Sequence, residues 1–181
     1  IAPNGVTKTL ELGLTKASLL YGLTMSPSGA LYINDQTTAK RHLYVFDQPP
    51  AIPALTMTIG NGGTSVVDGV NPTAEIGAVR GMQHDAFTGD MVFGSTVNHK
   101  VGRLAPDGTV TTWLGSGTIG HTDAPLLAAE FKEVWDCAPD PSNGNVYIAD
   151  TNDAIRKATA GGTVSTFITK AAGGFNWPGG V

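Results

Sequence analysis

The sequence predicts an all-β domain assembled from repeated four-stranded antiparallel units. Three observations lead to this fold class. Glycine accounts for 24 of the 181 residues and charged residues for only 14% of them, well below the roughly 25% of typical soluble domains. Short apolar runs alternate with Gly-containing turns along the chain, a pattern typical of β-strands. A segment of about 55 residues also recurs, which indicates a repeat architecture.

The repeat is clearest when residues 58–95 are aligned with residues 113–150, an offset of 55 that holds for 38 residues without a gap. After one inserted residue near Val97 the offset becomes 54, and a looser copy occupies residues 22–35. Identical residues coincide at Gly60 and Gly115, Asp68 and Asp123, Glu75 and Glu130, and Asp85 and Asp140. This register predicts that each copy builds the same structural unit.

Each copy contains four strand signals, which are easiest to read in the last copy. In order they are "VWDCAPD" (134–140), "NVYIAD" (145–150), "AIRKAT" (154–159) and "TVSTFI" (163–168). The Gly-Gly pair between the third and fourth signals is a strong hairpin signal. Four antiparallel strands in about 55 residues describe one blade of a β-propeller. A β-sandwich also uses many short strands but would not require this register to recur.

The predicted domain is a single, partial propeller over residues 1–181. We assign blades to 14–59, 60–114 and 115–169, with partial blades at 1–13 and 170–181. Propellers close with about four to eight blades. Three blades leave two apolar faces uncovered, which is a large patch for a stable monomer. We therefore expect the remaining blades of a longer chain, or a second copy, to close the ring.

The last copy resembles the NHL repeat. The resemblance rests on an aromatic residue at Phe131, on "VYIAD" (146–150), on "NDAIRK" (152–157) and on "GGTVSTFI" (161–168). It is good across residues 113–168, fair across 58–114 and weak before residue 45. The middle copy departs from the pattern, because "VFGSTVNHKVGRL" (92–104) lacks the Asp of "YIAD" and contains one residue more.

The resemblance implies a six-bladed ring of NHL-like blades. The long linkers "GNGGTSVVDGVNPTAEI" (60–76) and "GSGTIGHTDAPLLAAEF" (115–131) are similar to those of NHL proteins found on bacterial surfaces or secreted from bacteria. An extracellular or cell-surface location is therefore implied, although no signal or anchor is visible in these residues.

The candidate binding residues are Tyr21, Arg80 and Trp135. They occupy equivalent positions just before the first strand of each copy, where the loops of a propeller converge on the top of its central channel. An aromatic pair with an arginine there could stack a sugar or peptide ring and hold an anion. The alternative is that the three side chains wedge neighbouring blades together.

Metal-dependent catalysis makes stricter demands. NHL-like lyases use His residues from different blades on zinc, and related lactonases use Glu, Asn and Asp, so ligands must recur at channel positions and converge. His84 is the candidate, but its equivalents Met25 and Pro139 are not ligands. We predict no catalytic residue, metal site or cofactor.

The remaining polar candidates have structural explanations. Asp85 and Asp140 each precede a Gly-containing turn, where a short carboxylate satisfies backbone amides, so we predict that both cap turns. Cys137 has no second cysteine to pair with, and its place in a strand signal predicts a buried structural thiol.

Charge and hydropathy argue against a nucleic-acid partner and against a membrane-spanning segment. The net charge is −4, and the one basic cluster is Lys40-Arg41-His42, so a nucleic-acid partner is not predicted. No run approaches 18 apolar residues, so no membrane-spanning segment is predicted.

The sequence thus favours a non-enzymatic recognition or scaffold module that binds protein or glycan through its top face. One alternative is a metal-dependent lactonase or lyase whose ligands lie outside this segment. Another is a structural subunit of an extracellular or viral assembly.

Overall fold

The computed structural model describes residues 20–37, 40–47, 54–174 and 178–180. Within these ranges the chain forms three four-stranded antiparallel sheets and one two-stranded sheet. The predicted all-β fold of blade-like sheets is therefore confirmed. We call the three larger sheets the first, second and third blades. The partial blade expected at residues 1–13 lies outside the described residues.

The strands follow one another in chain order. The first blade contains β1 (Leu20–Met25), β2 (Leu31–Thr37), β3 (Lys40–Asp47) and β4 (Ala54–Ile59). The second is preceded by β5 (Val66–Val67) and β6 (Glu75–Ile76) and contains β7 (Val79–His84), β8 (Met91–Ser95), β9 (Lys100–Leu104) and β10 (Val110–Leu114). The third contains β11 (Val134–Pro139), β12 (Val146–Asp150), β13 (Ala154–Ala158) and β14 (Val164–Thr169).

Each blade is a meander in which every strand pairs with the next one along the chain. The four strand signals of the last copy lie within one residue of the observed β11 to β14. The first strands lie side by side, with β7 between β1 and β11. The blades therefore fan out from a common inner edge, as blades of a propeller do around a channel.

The hydrophobic core lies between blades. Between the first and second blades it contains Leu43, Val45, Ile59, Met82, Met91 and Phe93, among others. Between the second and third blades it contains Val92, Val101, Leu114, Phe131, Val134 and Ile148, among others. Successive residues of β8 thus contribute to opposite cores, because side chains alternate between the two faces of a strand. The middle blade is consequently buried on both faces.

The outer faces of the first and third blades carry exposed apolar side chains. On the first blade Leu23 is 70% exposed and Met25 is 51% exposed. On the third blade Phe167 is 57% exposed and packs its ring edge against Tyr147. Both faces correspond to surfaces that the middle blade buries against its neighbours.

The two long linkers are held by the same contact in both copies. Asp68 Oδ1 accepts hydrogen bonds from the Thr112 N–H and hydroxyl, both at 2.7 Å. Asp123 accepts the equivalent bonds from the Thr166 N–H at 2.9 Å and hydroxyl at 3.1 Å. The second linker also contains a short 3₁₀ helix, Leu126–Ala128, which the sequence did not predict.

Arg156 of β13 anchors the second linker from within the core. Its side chain is fully buried, and its guanidinium nitrogens lie 3.1 Å from Asp150 Oδ2 and 2.5 Å from Asp123 Oδ1. It also donates to the carbonyl oxygens of Thr122 and Glu130. Burial raises the pKa of Asp123, but hydrogen bonds from Thr166 and Arg156 and the charge of Arg156 outweigh it, so the net pKa lies below its usual value.

A short helix, α1 (Lys170–Gly173), follows β14, where the sequence predicted the start of another partial blade. The described residues after it, 178–180, are not in a strand but lie against the first strand of the third blade. A Cβ added to Gly179 would be 3.4 Å from Trp135 Cε3, and one added to Gly180 would be 3.6 Å from Asp136 Oδ2.

Candidate ligand-binding site

The candidate site lies on the top face, which we define as the end of the blades where the first strands begin and the second strands end. Tyr21, Arg80 and Trp135 are the second residues of β1, β7 and β11. The prediction that they lie just before the first strands is therefore wrong. Each first strand begins one residue before them, at Leu20, Val79 and Val134.

Each first strand has a β-bulge at this position. The pairing with the second strand shifts between Leu20 and Gly22, between Val79 and Met82, and between Val134 and Asp136. A bulge leaves a residue unpaired and redirects its side chain. The recurring bulge therefore turns Tyr21, Arg80 and Trp135 out of the regular alternation, and this irregularity was not predicted from the sequence.

The three predicted residues come together across the three blades. The Arg80 Cζ atom lies 4.4 Å from the centroid of the Trp135 ring and 5.2 Å from that of the Tyr21 ring. Since Tyr21 and Trp135 come from the blades on either side, the guanidinium lies between the two rings. Cation–π attraction holds it there, and we call this arrangement the aromatic–arginine stack.

A hydrogen bond to Glu133 orients the Trp135 ring. Its Nε1–H donates a hydrogen bond to Glu133 Oε2 at 2.9 Å, which satisfies the only polar atom of the indole. A Cβ added at Gly179 would lie 3.4 Å from Cε3 of the same ring, so the chain at Gly179 runs close to it. The stack is therefore an ordered feature rather than a loose group of exposed side chains.

Two clefts flank the stack on the top face. The Tyr21 cleft, between the first and second blades, has a volume of about 190 Å³ and is lined by Tyr21, Gln36, Ala78, Arg80, Thr96 and Val97. The Glu133 cleft, between the second and third blades, has a volume of about 350 Å³ and is lined by Arg80, Thr96, Val97, His99 and Glu133. Arg80, Thr96 and Val97 line both clefts and form the ridge that separates them.

The sequence reasoning missed Gln36, Thr96, Val97 and Glu133. Thr96 and Val97 belong to the turn between β8 and β9, which spans residues 96–99, whereas the equivalent turn of the third blade spans only 151–153. The signal was present in the sequence as the inserted residue near Val97. The sequence could not show that the inserted residue lengthens a turn lying between two clefts.

Close approach of the first strands depends on glycine. A Cβ on Gly81 would overlap the carboxylate of Asp136, and a Cβ on Gly22 would lie 3.0 Å from the Arg80 carbonyl oxygen. These positions directly follow Arg80 and Tyr21, and Asp136 takes the equivalent place after Trp135. Without side chains there, β1, β7 and β11 approach closely enough to bring the stack together.

His84 lies at the opposite end of β7 from Arg80. It lines a separate cleft of about 270 Å³ on the bottom face, together with Ser26, Tyr32, Met91 and Leu104 among others. Among the residues that the structure describes, no group of three or more His, Cys, Asp or Glu side chains is placed to hold a metal ion.

The predicted turn caps are confirmed. Asp85 Oδ1 accepts the Phe87 N–H at 3.0 Å. Asp140 Oδ1 accepts the Ser142 hydroxyl and N–H at 2.6 and 2.9 Å, and these hydrogen bonds lower the pKa of Asp140. Asp85 also has a role that was not predicted, because its buried carboxylate pairs with Arg103 at 2.9 Å.

Cys137 is fully buried in the core between the second and third blades. Burial raises the pKa of its thiol well above the usual value. The thiol is therefore protonated and packed, and the prediction of a structural cysteine is confirmed.

Comparisons with known proteins identify the fold class as a β-propeller, of which the described residues form an incomplete ring. No protein-family model matches the chain, and no curated protein matches it. Among solved structures, it is similar to an auxiliary nutrient binding protein from Bacteroides ovatus, with 25% identity and a TM-score of 0.65 over 85% of this chain and 39% of that one. A second auxiliary nutrient binding protein, from Bacteroides thetaiotaomicron, has 27% identity and a TM-score of 0.63 over 80% of this chain and 36% of that one.

A more distant similarity supports the same fold. Virginiamycin B lyase from Staphylococcus aureus, solved as a catalytically inactive variant with quinupristin, has 16% identity and a TM-score of 0.55 over 85% of this chain and 43% of that one. The chain thus spans between 36% and 43% of the length of these three structures. In the described ranges, no helix has the length and apolar character needed to cross a membrane.

Proposed function

We propose that this chain is the binding part of a non-enzymatic recognition propeller that works outside the cell or on its surface and takes a glycan or peptide nutrient on its top face. The observation that carries the proposal is the aromatic–arginine stack between two clefts. The exposed ring of Tyr21 and the half-buried ring of Trp135, on either side of a guanidinium, offer a ligand both an apolar face and hydrogen-bond donors.

The similarity to two auxiliary nutrient binding proteins supports the proposal. Ligand sites of proteins are concave surfaces with a few well-placed polar groups, and the Tyr21 and Glu133 clefts have this character. Each cleft combines apolar and polar lining residues, and both open on the same face beside the stack. An NHL-like ring of six blades would extend this face around the channel.

The test is a binding screen of the full chain against arrays of glycans and peptides, followed by calorimetric titration of the best ligand. We expect Trp135→Ala to weaken binding by roughly 5- to 30-fold, corresponding to about 1–2 kcal/mol for a lost stacking ring. The melting temperature should change little, because Trp135 is only half-buried at the rim.

The matched control is Phe167→Ala, which removes an exposed ring from the outer strand of the third blade. This variant should bind as the wild type does. If Trp135→Ala lowers stability strongly and leaves binding intact, the stack is a wedge between blades and the proposed function is wrong.

A further inference from the structure

We propose that the ligand carries a carboxylate on a sugar ring, so that the top face recognises an acidic glycan such as one containing uronic or sialic acid. This inference rests on the proposed function and specifies its ligand class.

Three arginines stack on aromatic rings, but two of them also hold a carboxylate. Arg103 lies 4.0 Å from the Trp113 centroid and pairs with Asp85 at 2.9 Å. Arg156 lies 5.3 Å from the Phe131 centroid and pairs with Asp123 and Asp150 at 2.5 and 3.1 Å. In both cases a ring covers the face of the guanidinium while its in-plane N–H groups bind an acid.

Arg80 also stacks on aromatic rings, but none of the described aspartates or glutamates pairs with it. Its guanidinium lies between Tyr21 and Trp135, and within the described ranges no carboxylate lies within 4.0 Å of it. Aromatic rings block the faces of a guanidinium but leave its N–H edge available, and that edge matches a carboxylate bidentately. The geometry therefore leaves a place for an external carboxylate.

The charges of the two clefts decide where that carboxylate binds. Among the described residues that line the Tyr21 cleft, Arg80 is the single charged one, and the others are Tyr21, Gln36, Ala78, Thr96 and Val97. The Glu133 cleft has a carboxylate of its own in the wall, which repels a second one. An acidic group therefore binds on the Tyr21 side of Arg80.

The size and chemistry of the Tyr21 cleft favour a sugar over a longer acidic segment. Its volume of about 190 Å³ lies below the roughly 300–1,000 Å³ of pockets for drug-sized ligands, so it accommodates a single ring-sized group. The exposed ring of Tyr21 provides a stacking surface at its wall. A terminal or branching acidic sugar combines these requirements, with its ring against Tyr21 and its carboxylate on Arg80.

The test uses an array in which each uronic or sialic acid oligosaccharide is printed beside its own methyl ester, with calorimetry on the best pair. We expect the full chain to bind the acid, and esterification to weaken binding at least about tenfold, as for loss of a charge-assisted hydrogen bond. Arg80→Gln should remove the preference for the acid, so that the acid and its methyl ester bind this variant with equal affinity. Arg80→Lys should lie between, because it keeps the charge but loses the bidentate geometry.

The control is Lys157→Gln, which removes one positive charge from β13 outside both clefts and should leave all affinities unchanged. Equal binding of acid and ester would overturn the acidic-ligand inference while leaving the proposed function intact. Binding of peptides alone would overturn the inference and the glycan half of the proposed function. If no glycan or peptide binds, both proposals fail.

Discussion

Arg156 shows how a single buried charge can organise a linker. Its guanidinium is inaccessible to solvent and is neutralised by one fully buried aspartate and one half-exposed aspartate. Burying such a group is costly unless it is paired. In the second blade the corresponding position is Gly102, and the ring of Phe93 occupies the space beside it. Two equivalent positions have thus been filled by an ion pair in one blade and by an apolar ring in the other.

Removing Arg156 should therefore destabilise the third blade strongly. We expect Arg156→Leu to lower the free energy of unfolding by about 3–5 kcal/mol, because Asp150 is left buried without its cation. Urea unfolding followed by tryptophan fluorescence measures the change. Lys157→Gln on the neighbouring surface position should change stability by less than about 0.5 kcal/mol. Equal effects of both substitutions would contradict a structural role for the Arg156 ion pair.

At this scale the sequence predicted the identity of the stack residues but not their arrangement. The repeat register was enough to identify Tyr21, Arg80 and Trp135 as equivalent positions, because each directly precedes the aligned positions Gly22, Gly81 and Asp136. Their contact could not be predicted, since it depends on how far a bulge rotates each side chain. The sequence also could not predict that none of the described carboxylates pairs with Arg80, because pairing depends on distances between blades.

Among the elements, the first strands determine the shape of the top face. β1, β7 and β11 lie side by side, and each is bulged at the residue that enters the stack. The glycine after two of these residues lets the next strand approach. The sequence predicted β11 to within one residue and the repeat register located β1 and β7, whereas the bulges are single-residue irregularities that neither signal reports.

A side chain at Gly81 should push β7 and β11 apart. The Cβ of Gly81→Ala would overlap the Asp136 carboxylate and lie 2.9 Å from the Asp136 Cα. We expect a stability loss of about 1–3 kcal/mol, as for other overpacked sites, and weaker ligand binding because the stack is displaced. Thermal unfolding and calorimetric titration measure the two effects.

The control for that substitution is Gly161→Ala, whose added methyl would lie 4.0 Å from its nearest described neighbour, Thr159 Oγ1. It should be close to neutral in both measurements. The double variant Gly81→Ala with Asp136→Ala should recover part of the loss, because the overlapping carboxylate is gone. A neutral Gly81→Ala would show that these two strands are further apart than the structure has them.

On the scale of the whole molecule, stability comes from the surfaces between blades. Each of the two core clusters that the described residues form combines strands from adjacent blades. The sequence could predict this from the repeat, because a propeller blade cannot bury its apolar faces alone. The number of blades in the complete ring does not follow from one segment, so the six-bladed ring remains a proposal from the NHL resemblance.

The exposed outer faces should make these 181 residues self-associate when they are produced alone. We expect light scattering to show a mass that rises with concentration, because contiguous apolar patches drive association. Leu23→Lys on the outer face of the first blade should shift the distribution towards monomer. Val70→Lys, at an exposed apolar residue of the first linker, should not. A concentration-independent monomer would contradict the expectation that further blades or a second copy cover these faces.

The exposed apolar side chains of the two outer faces also constrain how such an array can grow by duplication. A copy added to either end covers one apolar face and presents another of the same kind. Lengthening the array therefore leaves the amount of uncovered apolar surface nearly constant, however many copies are added. Only the copy that joins the last blade to the first removes both faces at once. Ring closure is thus the single step in the growth of the array that is stabilised by burying both outer apolar faces.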